Sequence, residues 1–286
     1  MKGKTGFLLA LPALTILFLL FLYPIFFNFY MSFYKLDLYT SQTPIFIGFD
    51  NYIFLFYDPV FWNAFYNTIF FTIFSVALEF IIGFFCALLL SKLKRVWMNF
   101  LTAICLIPLF LSEVTEGLIG QFMFSTQIGL INALCKTFFN TYIPFLSDKN
   151  LAMWTIILTD TWKMFPFFLI IFLAAIISIP SDIVEAMNLD GASQLLLIRY
   201  LIIPYMLPVF SVSITIRTID AFTKIFGVVY IMTAGGPGLA TDVIPLRIFT
   251  WALRAFSWGK AACAGVYVFF TSIVLIILYL YVSRRR

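Results

Sequence analysis

Eight ionisable residues lie inside or against long apolar runs: Glu79, Glu113, Glu116, Asp160, Lys163, Arg217, Asp220 and Lys224. A charge at such a position is costly and normally faces a cavity or a partner. Asp160 and Lys163 are three residues apart, on one helical face, and could neutralise each other. Asp220 and Lys224 are four apart and could do the same, with Arg217 three residues before Asp220. Internally paired, these groups do no chemistry beyond holding helices. Facing a path, they form a polar lining. The sequence leaves both open.

Other chemistries are excluded by what is missing. The chain has no His, so zinc-protease helices and Ser-His-Asp triads are ruled out. Its four cysteines, at 86, 105, 135 and 263, have no metal-ligand spacing; Cys86, Cys105 and Cys263 sit in apolar runs as small hydrophobes. Gly3-Lys4-Thr5 mimics the end of a phosphate loop, but no upstream glycine or strand precedes it. No nucleotide site, cofactor site or metal site is expected on this chain.

The elements that must carry the charges follow from composition. The 286-residue chain is 63% hydrophobic and 11% charged, with mean hydropathy +1.04. A soluble domain needs far more polar surface. An all-α polytopic membrane helical bundle is expected. About 20 apolar residues cross a core of roughly 30 Å. That spacing predicts about six transmembrane helices: Phe7–Tyr30, Phe65–Leu90, Phe100–Phe124, Leu151–Ile179, Tyr205 to about Ile231, and about Lys260 to Val282. The first is too long, and lacks the small-residue site, for a cleaved signal peptide. The whole chain, 1–286, reads as one membrane domain.

Net charge is +5. The bases cluster beside apolar runs, which marks topology and not nucleic-acid binding. Lys2 and Lys4, then Lys92, Lys94 and Arg95, then Arg284, Arg285 and Arg286 agree only if both termini are cytoplasmic. Aromatic segments at Ile47–Trp62 and Leu246–Trp258 read as headgroup-level anchors.

One polar, turn-containing insert, about 180–204, interrupts the second half. Ile179-Pro180 stops the fourth span. Ser181 can cap the next turn, and Asp182 and Glu185 suit a helix start. Asp190-Gly191 reads as a turn, Ser193 as the cap of a second short helix, and Pro204 as the start of the fifth span. The product is a stiff corner at the membrane surface. Residue types alone leave open an ordinary interhelical loop.

This insert resembles the signature of inner-membrane permease subunits of binding-protein-dependent ABC importers. Glu185, Ala186 and Met187 stand where the family has Glu-Ala-Ala; Gly191 follows, and Leu201, Ile203 and Pro204 close the motif. Asp190-Gly191-Ala192-Ser193 matches the carbohydrate-permease form. Met187, Leu195 and Ile198 depart from it while keeping bulk or apolarity. Gly48-Phe49-Asp50-Asn51-Tyr52, Asp58 to Ala64, Asn67-Thr68, Trp162 to Phe167 and Thr233 to Gly238 also resemble family motifs, in the family's order. The chain is similar to the first permease of sugar and glycerol-phosphate importers, without the large external insert of the maltose type.

The resemblance implies a non-enzymatic subunit that forms half of a translocation pathway for a sugar or related polyol or sugar phosphate in the cell membrane. It implies docking to an ATPase through Glu185, Ala186, Asp190, Gly191 and Ala192, with ATP and Mg held by that partner. A second homologous permease, two cytoplasmic ATPases, an extracytoplasmic solute-binding protein and membrane lipid are the implied partners. For a hydroxyl-rich solute, Asn67, Gln121, Asp160, Trp162, Lys163, Asp220 and Lys224 are the candidate pathway residues; Lys224 or Arg217 facing the path would favour an anion. A self-sufficient secondary transporter or channel is the alternative, but no clear internal repeat supports it. A membrane-embedded enzyme would need an acid-base or nucleophile motif that is not seen.

Overall fold

The structure, a computed structural model, describes residues 11–37 and 41–284. Lys2, Lys4, the Gly3-Lys4-Thr5 triplet, Arg285 and Arg286 lie outside the described residues. The chain is built of helices α1 (Leu11–Ser32), α2 (Asp50–Tyr57), α3 (Pro59–Leu90), α4 (Arg95–Phe110), α5 (Glu113–Met123), α6 (Leu130–Phe139), α7 (Ala152–Ile177), α8 (Ser181–Leu189), α9 (Gln194–Lys224), α10 (Phe226–Met232), α11 (Ile244–Phe249) and α12 (Trp258–Arg284). A short antiparallel hairpin, β1 (Tyr34–Asp37) and β2 (Ser41–Phe46), follows α1. The hydropathy reading did not foresee it.

Among the described residues, five helices are long and apolar enough to cross a membrane: α1, α3, α7, α9 and α12. The third expected span is not one straight helix. It is α4 and α5, bent by 98° at their junction. Pro108 tightens the end of α4 into a 3₁₀ turn, Leu111 is extended (φ −72°, ψ 141°), and Ser112 opens α5 by accepting the Thr115 N–H. Such a break is stable at membrane depth only where protein covers the freed backbone groups.

The fifth span also departs from expectation. No short second helix precedes it: α9 runs unbroken from Gln194 through Pro204 and Pro208. A π-helical turn at Ile198–Ile202 sits just ahead of Pro204, where the ring removes a donor. The helix pauses later, at Ile225, before α10.

Contacts divide the chain into two compact units, Met1–Trp62 with Ile244–Thr271, and Asn63–Val243 with Ser272–Arg286. In the first, Phe29 of α1 meets Phe269 and Phe270 of α12 edge to face, and Asn28 donates to the Ala262 carbonyl. Buried Asn51 of α2 donates to the carbonyls of Ser32 and Tyr34, which fixes the hairpin on α2. Gly259 lies against the Tyr34 carbonyl so closely that no Cβ fits.

In the second unit, Phe80 and Phe84 of α3, Phe168 and Phe172 of α7 and Phe210 of α9 form an edge-to-face aromatic core, with centroids 5.0–6.2 Å apart in the inter-helix pairs. Gly83 lets α3 come down on α7; a Cβ there would lie 2.6 Å from that of Phe168. This is the small-residue packing by which helices associate in lipid, where apolar area alone drives nothing together. The core brings α3, α7 and α9 together immediately below the buried charges.

Candidate functional site: a buried charge network and an exposed corner

The charges are paired, only in part as their spacing suggests. Arg217 of α9 is 3% exposed and holds three carboxylates. Its Nε and Nη2 donate to Glu79 of α3 at 2.7 and 2.8 Å, its Nη2 also to Asp160 of α7 at 2.5 Å, and its Nη1 to Asp220 at 3.0 Å. Asp220 in turn accepts Lys224 at 2.7 Å. The expected Asp220–Lys224 pair is therefore present. Lys163 does not pair with Asp160: it donates to Glu116 of α5 at 2.7 Å. The reason is geometric. Asp160 is taken by Arg217 and Ser75, and Glu116 of α5 is brought within reach of the Lys163 ammonium.

Ser75, one turn before Glu79 on α3, completes the knot, with its Oγ 2.6 Å from Glu79 and 2.5 Å from Asp160. Ser75 carries no charge to mark it; the spacing of four from Glu79 is the only sequence sign. Glu113 accepts the Gly227 N–H of α10 at 3.3 Å. A cavity of about 30 Å³, lined by Glu113, Glu116, Asp160, Lys163, Arg217 and Asp220 among others, opens inside the network.

The remaining pathway candidates do not converge on this cavity. Asn67 is buried and donates to the carbonyls of Leu239 and Asp242 at 3.2 and 2.9 Å. It clamps the loop 233–242, where Ala234, Gly235, Gly238 and Leu239 all have positive φ. Gln121 lies on an open apolar cleft of about 600 Å³ with Leu118, Phe122 and Ile128. Trp162 is exposed on α7, turned away from Asp160 and Lys163, both buried.

The insert forms a rigid, outward corner. Pro180 is the N-cap of α8 and makes no side-chain cap bond; Ser181, expected to cap, is the first helical residue and bonds Asp182. The C-terminus is closed by three backbone bonds: Asp190 N–H to Ala186, Gly191 N–H to Asn188 and Ala192 N–H to Met187. Gly191 has φ +79°, the left-handed C-cap that glycine adopts freely. Ser193 then caps α9 by accepting the Leu196 N–H at 3.4 Å, as expected. α8 buries none of its residues in this chain. Glu185, Ala186, Asp190 and Gly191 are exposed, and Ala192 is half-buried. Leu189 and Leu195 are 89% and 73% exposed, so the corner shows apolar as well as charged side chains.

Residues 79–286 match the family described as binding-protein-dependent transport system inner membrane component, and the chain belongs to that family. It is 30% identical to the trehalose/maltose transport system permease protein MalF of Thermococcus litoralis, over 100% of this chain and 95% of that protein. It is 31% identical to the sulfoquinovosyl glycerol transport system permease protein SmoG of Agrobacterium fabrum, over 98% and 90%. The sn-glycerol-3-phosphate transport system permease protein UgpA of Pectobacterium atrosepticum is 27% identical over 98% and 94%. A permease-fold chain in the crystal structure of a bacterial ABC transporter for the acidic polysaccharide alginate superposes with TM-score 0.86 at 24% identity, over 99% of this chain and 96% of that one. The fold is thus that of an ABC importer permease, a multi-pass membrane protein.

Proposed function

We propose that the chain is the permease subunit of an ATP-driven importer for a sugar or a related polyol or sugar phosphate. It forms half of the translocation pathway and docks to an ATPase through the Glu185–Gly191 corner. The observation that carries this reading is α8: a helix that buries nothing in its own chain and leaves Glu185 and Leu189 exposed, with Leu195 exposed at the start of α9. A floppy loop would absorb a push; a helix closed at Gly191 and joined to α9 by the short turn 190–193 passes it into the bundle.

ATP and Mg belong to two cytoplasmic ATPase chains. A homologous second permease completes the path, and a solute-binding protein delivers to the outer face. Both termini then lie in the cytoplasm. The solute class rests on the relatives, whose names include trehalose/maltose, sulfoquinovosyl glycerol and glycerol phosphate. Arg217 and Lys163 are engaged by carboxylates, so an anionic solute would have to use Lys224, whose side chain is 67% exposed although bonded to Asp220. Whichever solute is carried, it has only to bind one state of the bundle better than the other.

Co-purification tests the docking. Tagged chain should bring down an ATPase, and Glu185→Lys should lose it while membrane insertion is unchanged. Solute uptake by this chain alone, indifferent to ATP depletion, would overturn the reading.

A further inference from the structure

A polar cavity of about 490 Å³ opens within the first compact unit, where the ends of two membrane-crossing helices meet. Lys35, Asp37, Asp50, Phe54, Ser257 and Lys260 are among the residues that line it. Lys35 follows Ser32, the last residue of α1, within the start of β1, and Lys260 lies in the first turn of α12. Asp37 and Ser257 form a backbone bridge between the hairpin and the residue before α12, so the two helix ends stand at one level. The end of a span lies at the lipid headgroups. The cavity therefore faces the bilayer surface and not its apolar core. Its wall is fixed: buried Asn51 donates to the carbonyls of Ser32 and Tyr34, and Gly259 lies tight against the Tyr34 carbonyl.

The charges in this wall are of both signs. Two lysines and two aspartates line the space. Among the described residues Lys35, Asp50 and Lys260 enter no ion pair. Lys260 instead lays its ammonium over the Phe54 ring, 3.7 Å from the centroid. A simple anion placed here meets two carboxylates, and a simple cation meets two lysines. A ligand that carries both signs satisfies both, through charge-assisted bonds from the lysines to its anion and from its ammonium to the aspartates. A quaternary ammonium has no N–H to give the aspartates, and Phe54 already carries Lys260. Apolar surface lies beside the charges: Phe46 at the end of β2, and Phe49 and Ile53 next to Asp50 and Phe54, are all exposed. Acyl chains begin at this depth, and aromatic side chains favour it.

We propose that this cavity is a binding site for the headgroup of phosphatidylethanolamine. The phosphate lies between Lys35 and Lys260, the ammonium at Asp37 and Asp50, and the acyl chains along the exposed apolar residues of α2. One lipid so held ties the hairpin and α2 to the bilayer. The proposal needs α1 and α12 to cross the membrane and nothing of the docking at α8, so either can fail alone.

The test is native mass spectrometry of the full chain with its partner subunits, titrated in detergent with phosphatidylethanolamine, phosphatidylcholine or phosphatidylglycerol of matched acyl chains. The wild type should retain phosphatidylethanolamine at lower concentration than the other two. Lys35→Gln and Asp50→Asn alter exposed side chains, and each should weaken that retention by about 2–5-fold. Phosphatidylglycerol should respond with opposite signs: Asp50→Asn leaves the lining net positive and should gain it, whereas Lys35→Gln should lose it further. Lys260→Gln should repeat the Lys35→Gln result and replaces it if that variant fails to assemble. Glycerophosphoethanolamine, which has the headgroup without acyl chains, should compete only at far higher concentration. Equal retention of the three lipids, unchanged retention in all the variants, a phosphatidylglycerol response of one sign throughout, or competition by glycerophosphoethanolamine at the lipid's own concentration overturns the proposal. Variants that lose cross-linking to a solute-binding protein while keeping the lipid would make the cavity a protein contact and overturn it equally.

Discussion

Arg217 grips Glu79 through two nitrogens, Nε and Nη2, although 138 residues separate them. This bidentate pair joins α9 to α3 where both are buried. Removal of one partner strands the other. Arg217→Met should destabilise the protein by about 3–5 kcal/mol, because Glu79 and Asp160 then lack their cation. The thermal midpoint in detergent measures it. Adding Glu79→Gln to Arg217→Met should recover part of the loss, since one of the two carboxylates left without a cation is gone; strict additivity in this cycle would mean that the two residues do not interact.

Gly191 tests backbone conformation free of steric conflict. An added Cβ there meets nothing within 4 Å, yet φ is +79°. Gly191→Ala should cost about 1–2 kcal/mol of local strain, and Gly191→Val more. Asn tolerates the left-handed region and should be the mildest replacement. ATP-driven uptake in vesicles should rank Gly above Asn above Ala above Val, with equal amounts of chain in the membrane. Full uptake by the Val variant would remove Gly191 from the coupling corner.

Asn67 distinguishes a clamp from a solute contact. Its amide satisfies the carbonyls of Leu239 and Asp242. Asn67→Ala should cost about 1–3 kcal/mol through those unpaired acceptors, read as a lower thermal midpoint. A clamp leaves the solute KM near its wild-type value at temperatures where the protein is folded. A large rise in KM with unchanged stability would instead place Asn67 on the path.

Gly259 is predicted to accept no side chain. The Tyr34 carbonyl occupies the place of its Cβ, and Asn51 Nδ2 lies 2.9 Å away. Gly259→Ala must push β1 off the start of α12, at about 1–3 kcal/mol. Asn51→Ala loosens the same junction from the other side, so the two substitutions together should cost less than their sum in thermal denaturation.

Much of this architecture is legible in the sequence because lipid demands long apolar runs. α1, α3, α7 and α12 fall where hydropathy puts them, to within a few residues of those described. The third span shows where that signal fails. Hydropathy averages over Leu111, and only the chemistry of single residues, Pro108 and the capping Ser112, marks the break. Pro204 misled in the opposite direction: a proline stops a helix only if the turn before it cannot adapt, and the π turn at Ile198–Ile202 adapts. The corner at Gly191 was visible because its turn is local. Spacing offers Asp160 as one possible partner of Lys163, because a sequence shows neighbours along a helix, not the carboxylate of Glu116 that folding brings from 47 residues away.

At Gly83 the backbones of α3 and α7 sit so near each other that neither an acyl chain nor a file of water fits between them. At that level the two helices form one strut and travel together. A passage through the bundle must then open along other seams, and the natural pivots are the places where the chain is already unwound: the elbow at Leu111 and the pause at Ile225.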